Sequence, residues 1–250
     1  MSPVMPAPVV LAPAKLTCSL RVTGRRPDGY HEIDAEMLTL DLADELTFTD
    51  GDHLEVVGSS GLAVSEGDDN LVRRALAVLG RKASVRLVKR IPAGAGLGGG
   101  SADAAAVLRW AGCTDLAVAV SLGADVPFCL VGGRARITGI GEQIVALAPV
   151  ERTYTLLIPP CGVATAEVYR AWDDRGGPTG AGANDLEAAD LHVAPELAAW
   201  RDRRGDATGI TPVLAGSGST WFVVGDHPGD GRIVVRNART AANTAASAGR

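Results

Sequence analysis

Cysteine and histidine are scarce in this sequence of 250 residues, four of each, and their scattering removes two function classes. Cys18, Cys113, Cys129 and Cys161 form no Cys-x-x-Cys pair and meet no histidine at metal-ligand spacing. Neither a zinc site nor a disulfide framework is indicated; reduced, mostly buried thiols and no protein-built metal site are expected. Excess positive charge is missing too. Lys and Arg number 24 against 29 Asp and Glu, a formal charge of −5, and the small basic group Arg73, Arg74, Arg81, Lys82 reads as one solvated helix face. A grip on a nucleic-acid backbone needs a clustered basic surface, so no nucleic-acid partner is expected. Long hydrophobic runs are absent as well: prolines break the opening MSPVMPAPVVLAPAK, and the longest uncharged stretch, 207–225, is rich in Gly, Ser and Thr. No membrane segment and a cytoplasmic location are the expectation.

What is present is apolar content of 46%, enough for a core in one large domain or two modest ones. Strands are expected at Val9–Leu11 and Leu16–Val22 with a proline bend between, and a hairpin-like pair at Asp44–Thr49 and His53–Val57. The spacing of Leu71, Ala75, Leu76 and Leu79 predicts a helix over 70–79 stopped by Gly80. Ser84–Ile91 alternates like a half-buried strand ending at Pro92, and Ala102–Trp110 reads as a helix. Tyr154–Ile158 and Trp221–Val224 read as buried strands. A seam near Pro149–Arg152 would divide the chain into 1–150 and 151–250, and the Ala-rich tail from Ala238 reads as frayed.

Between the strand at 84–91 and the following helix lies PAGAGLGGGS, Pro92 to Ser101, with Gly94, Gly96, Gly98, Gly99 and Gly100 inside seven residues. Such glycines permit left-handed backbone and close ligand approach, Ser101 is placed to cap the helix, and successive N–H groups at a helix start cradle an anion. A phosphate is the natural guest; an unliganded flexible turn is the plain alternative. The Walker A pattern fails, because Gly100 stands where its lysine belongs. Gly94, Gly96 and Gly99 do satisfy G-x-G-x-x-G literally, which keeps a dinucleotide-binding module open. The protein-kinase signatures H-R-D and D-F-G are absent.

Pro92 to Ser101 also matches P-x-x-x-G-L-G-[GS]-[GS]-[SA], and here the sequence resembles the GHMP kinases. APAKLTCSLRVTGRRPDGYHEIDAEMLTLDLADEL, LGADVPFCLVGG and LAGSGSTWFVV extend the resemblance over most of 12–224, toward the branch acting on a cytidine diphosphate-linked methylerythritol. The resemblance implies a two-domain α+β fold, the N-terminal half like domain 2 of ribosomal protein S5 and the C-terminal half ferredoxin-like. It implies ATP and Mg²⁺ as ligands, a small-molecule acceptor, and a monomer or weak homodimer. Other small alcohols of the homoserine or mevalonate type, or a homologue that binds nucleotide without turnover, are its alternatives.

By the same resemblance Lys15 and Asp125 are the catalytic pair, Asp125 taking the hydroxyl proton and Lys15 offsetting negative charge. On their own, Lys15 reads equally as a solvated lysine and Asp125 as a turn acid. Pro92, Gly94, Gly96, Leu97, Gly98, Gly99, Gly100 and Ser101 would wrap the ATP phosphates, with Asn70 lining the adenine pocket or simply capping its helix. Thr17, Tyr30, His31, Tyr169, Asn184 and Ser217 are the implied substrate residues, Tyr30 and Tyr169 holding the pyrimidine between two rings. The sequence departs from the family pattern at Thr17 and Asp103, where asparagine is common, and it is short before SLGADVPF and at GDHPGDGR.

Overall fold

The computed structural model describes residues 8–58, 62–180 and 182–238. The first seven residues and all but the first residue of the Ala-rich tail lie outside the described residues. Two long strands, β1 (Val9–Arg25) and β2 (His31–Thr49), pair antiparallel along their whole length. The other edge of β2 is shared: its first half takes β5 (Arg134–Gly139) and its second half β4 (Ser84–Val88), both antiparallel. β6 (Gln143–Ala146) extends beyond β5, and β3 (Leu54–Val57) beyond β4.

Two local expectations are corrected. The segments 9–11 and 16–22 are one strand, because Pro13 sits on an edge strand where its missing N–H costs no ladder bond. The pair expected as a hairpin is not one: β3 runs parallel to β4, which inserts between β3 and β2. The helix α1 (Leu71–Val78) falls within the connection from β3 to β4, as a parallel pair requires. With β3–β4 as its single parallel pair, this mixed sheet is not the open parallel sheet a dinucleotide module needs, and that alternative is dropped.

The second sheet has the order β10-β7-β9-β8, built from β7 (Thr153–Leu157), β8 (Val213–Leu214), β9 (Trp221–Val224) and β10 (Arg232–Arg236), with every pairing antiparallel. In chain order that is 4-1-3-2, the ferredoxin-like arrangement. Helices α5 (Thr165–Asp174), α6 (Glu187–Val193) and α7 (Glu196–Thr208) connect β7 to β8. The short connection 225–231 replaces a second helix between β9 and β10; at roughly 3.3 Å per extended residue it still reaches back across β7.

The core is continuous between the halves. Leu20, Ile33 and Met37 pack with Val168, Trp172 and Leu186 in one cluster, and Tyr154, Leu156 and Phe222 join the larger cluster under the first sheet. At its centre lies α2 (Gly99–Trp110), whose Ala102, Ala104, Ala105 and Ala106 are all fully buried. Small side chains let this helix lie close to β1, which carries Lys15. The short α3 (Leu116–Leu122) and α4 (Val126–Val131) follow, with Asp125 at the head of α4.

One buried ionic cluster ties β2, β4 and α2 together. The Lys89 ammonium pairs with Asp44 and, at 2.7 Å, with Asp103, while Asp44 also accepts the Ile91 N–H at 2.8 Å and the Arg90 N–H. Burial acts to lower the Lys89 pKa, but Asp103 and Asp44 outweigh it and raise the net value. Burial pushes Asp103 up to about 7, with the neighbouring Asp44 adding to it against the pull of Lys89. Removing the ammonium leaves two buried carboxyls facing each other without a counter-charge. Lys89→Ala is expected to cost about 3–5 kcal/mol in urea unfolding, with Asp34→Ala, on an exposed pair with Arg136, leaving the midpoint nearly unchanged.

Candidate active site

Lys15 is a lysine in an unusual place for its type, 5% exposed on β1. Register shifts on both sides of it, at Pro13/Lys15 and Thr17/Ser19, interrupt the alternation of the strand, so Ala14 to Thr17 are buried in succession. Its backbone N–H donates to Leu97 O at 2.9 Å, fastening β1 to the glycine loop. Its stem runs across Gly98, where an added Cβ would come within 2.7 Å of Lys15 Cγ. The ammonium ends 3.2 Å from Thr17 Oγ1 and 3.4 Å from Asp125 Oδ2. Two residues 110 positions apart in the chain, singled out in the sequence, therefore meet.

Two compartments open on this pair. The one of about 530 Å³ is lined by Asn70 and by every residue from Pro92 to Ser101; the other, about 680 Å³, is lined by Thr17, Tyr30, His31, Tyr169 and Ser217 among others. Lys15, Asp125, Ser101, Thr165 and Ser217 line both, and so mark the junction. Thr165 and Ser217 hydroxyls are 2.9 Å apart there.

In the loop compartment the glycines adopt the predicted left-handed backbone, with φ of +77°, +73° and +68° at Gly94, Gly96 and Gly98. Gly96 also has no room for a side chain: an added Cβ would fall 2.1 Å from Gly218 O, in the turn 215–220. Ser101 does not cap the helix. The helix begins two residues earlier and Gly98 holds the N-cap position, which places the Ser101 hydroxyl in the first turn, beside the free N–H groups. Leu97 contributes through its backbone, since its side chain is 1% exposed in the core. Asn70 combines both readings: Oδ1 accepts Val72 N–H at 2.8 Å as a helix cap, Nδ2 donates to Ser65 O at 2.6 Å, and the residue lines the compartment.

In the larger compartment Tyr30 stands 60% exposed, while Tyr169 stacks on His31 with ring centroids 4.7 Å apart at 26°. His31 Nε2 meets Asp173 Oδ1 at 2.8 Å, and Arg25 pairs with the other oxygen of that carboxylate at 3.3 Å. Burial raises the Tyr169 phenol well above its usual value, with Asp125 adding to the effect. Thr17, 1% exposed, spends its hydroxyl oxygen on Lys15. Asn184 is the candidate the structure does not bring into the cleft. It is 4% exposed, donating to Leu214 O at 3.0 Å and Gly216 O at 2.6 Å, and it supports the turn from beneath. Beside it Asp185 accepts from Arg21 at 2.6 Å and Val22 N–H at 3.0 Å.

Sequence reasoning missed Arg25, Thr165, Arg170 and Asp173, all of which line the larger compartment. Thr165, Arg170 and Asp173 flank Tyr169 on α5, and their spacing on one helix was the available signal.

A glycine loop opening a buried helix, an ammonium–carboxylate pair at the junction of two compartments and a ferredoxin-like second sheet together define a kinase of the GHMP class. The GHMP kinases N-terminal domain model matches residues 70–133. The chain is 37% identical to a 4-diphosphocytidyl-2-C-methyl-D-erythritol kinase of Moorella thermoacetica, over 84% of this chain and 87% of that one. It is 34% identical to the enzyme of that name from Bradyrhizobium diazoefficiens, over 96% of this chain and 95% of the other. A crystal structure of 4-(cytidine 5'-diphospho)-2C-methyl-D-erythritol kinase superimposes with a TM-score of 0.72 at 32% identity, covering 92% of this chain and 98% of that one. Homoserine kinase from Cytophaga hutchinsonii shares the fold, with a TM-score of 0.57 at 16% identity over 96% and 98% of the two chains. This chain belongs to the 4-diphosphocytidyl-2-C-methyl-D-erythritol kinases, an ATP-dependent family. No helix among the described residues is long and apolar enough to cross a membrane.

Gly96→Ala tests the loop. Its methyl group must displace the 215–220 turn or the loop itself, so ATP affinity is expected to fall by about tenfold or more. Equilibrium titration with a fluorescent ATP analogue measures it; Gly112→Ala, with nothing within 4 Å of its added Cβ, is the control for backbone strain alone.

Proposed function

We propose that this enzyme transfers the γ-phosphoryl group of ATP to a hydroxyl of 4-diphosphocytidyl-2-C-methyl-D-erythritol, ATP seating in the 530 Å³ compartment and the cytidylated acceptor in the 680 Å³ one. The observation that carries this is the 3.4 Å Lys15–Asp125 pair at the place where the two compartments join. Phosphoryl transfer has a loose transition state and depends mostly on alignment and charge stabilisation. The N–H groups at the start of α2 and the Lys15 ammonium bear on the transferred group. The Asp125 side chain, more exposed than that of Lys15, faces the open space and accepts the acceptor's hydroxyl proton.

In the acceptor compartment Tyr30 and Tyr169 offer flat faces to the pyrimidine. His31, held by Asp173, keeps one ring nitrogen for the base edge. The acceptor's diphosphate lies toward Ser217 and Gly216 of the turn. Asn184 acts indirectly, by fixing that turn. Under this division residues 1–150 supply the ATP side and 151–250 the turn and one wall of the acceptor compartment. One chain lines both compartments, so a monomer or weak homodimer in the cytoplasm suffices.

Mg²⁺ fits as a companion of ATP. No group of three His, Cys, Asp or Glu side chains able to hold a metal occurs among the described residues. Mg²⁺ commonly takes most of its ligands from phosphates and water, with one or two protein oxygens. Ser101 and Asp125, both at the junction, are the residues that would hold it, and the bound ion would neutralise charge on the phosphates.

An ADP-release assay tests the reading. ADP release should depend on the cytidylated methylerythritol and not on homoserine or mevalonate. Asp125→Asn is expected to lower kcat by about 10²–10⁴ with little change in KM. Tyr169→Ala is expected to raise the acceptor KM at least about tenfold, because it removes a stacking face without touching the reacting groups. Turnover of another alcohol in preference, or an unchanged kcat in Asp125→Asn, contradicts the assignment.

A further inference from the structure

Asp190 takes no part in the chemistry above and is the strangest ionisable group in the molecule. It sits on α6 with its residue fully buried, and neither carboxyl oxygen has a hydrogen-bond partner among the described residues. The carboxyl is pressed against the turn 215–220: a Cβ on Gly218 would fall 2.7 and 2.8 Å from its two oxygens. On the opposite side, the carbonyl of the same Gly218 abuts Gly96 of the phosphate loop. Gly216 and Ser217 of this turn line the acceptor compartment. Asp190 thus lies directly behind a backbone element that faces polyphosphate from the front.

Among the described residues it forms no ion pair. On α6, Glu187 is one turn away and already engages Arg201 of α7 at 3.2 Å. His192 lines a groove on the α5 side with Glu167, Arg170, Asp174 and Arg175. From the loop after β7 comes Cys161, whose thiol is pushed up by burial first and by Glu196 and Asp190 as well. Lys15 reaches the turn from the cleft side, within 3.5 Å of a Cβ placed on Gly216, and is committed to Asp125. Burial, with Glu187 second, pushes the Asp190 carboxyl up to about 7. A carboxyl in an apolar pocket without a cation favours its neutral form.

We propose that Asp190 is a proton-coupled positioning residue for the acceptor's phosphates: the neutral acid supports the 215–220 turn, and its ionisation sets a buried negative charge behind that turn and weakens phosphate binding. This rests on the acceptor seating proposed above. By linkage, a ligand that binds the protonated form better also drives protonation, so binding takes up a proton when the pH is above the Asp190 pKa. The sign is fixed: acceptor affinity is full well below pH 7 and falls as pH rises through about 7, with KM climbing toward about tenfold per pH unit at the limit of exclusive binding to the neutral form.

The test is calorimetric titration of the intact enzyme with the cytidylated methylerythritol, at pH 6 and pH 8, in two buffers of different ionisation enthalpy. The acceptor KM and kcat are followed over the same pH range. Wild type should bind several-fold, up to about tenfold, more weakly at pH 8 than at pH 6 and take up a fraction of a proton there. Asp190→Asn should bind with one affinity at both pH values, take up none, and keep the wild-type kcat profile. Asp190→Leu, neutral and of similar volume, should match it, and serves if the Asn variant fails to fold. Equal proton uptake or an equal pH dependence in the wild type and a folded variant overturns the proposal. Absence of acceptor binding at either pH overturns the seating on which it rests, and the proposal with it.

Discussion

The structure turns on a buried ammonium that must face a carboxylate from the other end of the domain. Lys15 is 5% exposed, and a desolvated lysine is tolerated only with partners. Those partners arrive from three directions: Thr17 from its own strand, Asp125 from the head of α4, and the glycine loop, whose Gly98 leaves room for the lysine stem. The register shifts in β1 aim the side chain, and the Lys15 N–H to Leu97 O bond fixes the distance between strand and loop. Each compartment then takes its position from this point, since Lys15 and Asp125 line both.

The glycine loop is held from two sides. Behind it, α2 is buried along most of its length through alanines, and Lys89 locks Asp103 of that helix to Asp44 of β2. In front, Gly96 meets the carbonyl of Gly218. The turn carrying Gly218 is itself supported by the two Asn184 amide bonds to Leu214 and Gly216. A loop made almost entirely of glycine would be costly to order by itself. Here its order comes from neighbours, and so the ligand meets a largely preformed cradle.

Much of this was legible in the sequence, for identifiable reasons. The glycine spacing demands a positive-φ loop, and the apolar spacing at 71–79 gives α1 with Asn70 as its cap. The strands at 153–157 and 221–224 are short apolar runs bounded by turn residues. What stayed hidden depends on tertiary pairing. The parallel partnership of β3 with β4 could not be read from a segment that looks like half of a hairpin. Pro13 reads as a break unless the strand is known to be an edge. Asn184 stood among the substrate residues through the family resemblance alone, whereas its amide is taken up by two backbone carbonyls 30 and 32 residues away. Asp173 was marked only by its spacing from Tyr169 on α5; that it meets His31 follows from the fold.

The central claim is spatial: the Lys15–Asp125 pair lies between the donor phosphate and the acceptor hydroxyl. A crystal structure with a non-hydrolysable ATP analogue and the cytidylated methylerythritol tests it most directly. The account requires the acceptor hydroxyl within about 2.6–3.2 Å of an Asp125 oxygen, with the terminal phosphate on the Lys15 side of it. A complex in which both ligands are bound and ordered while the hydroxyl points away from Asp125, or the phosphate lies clear of Lys15, would contradict it.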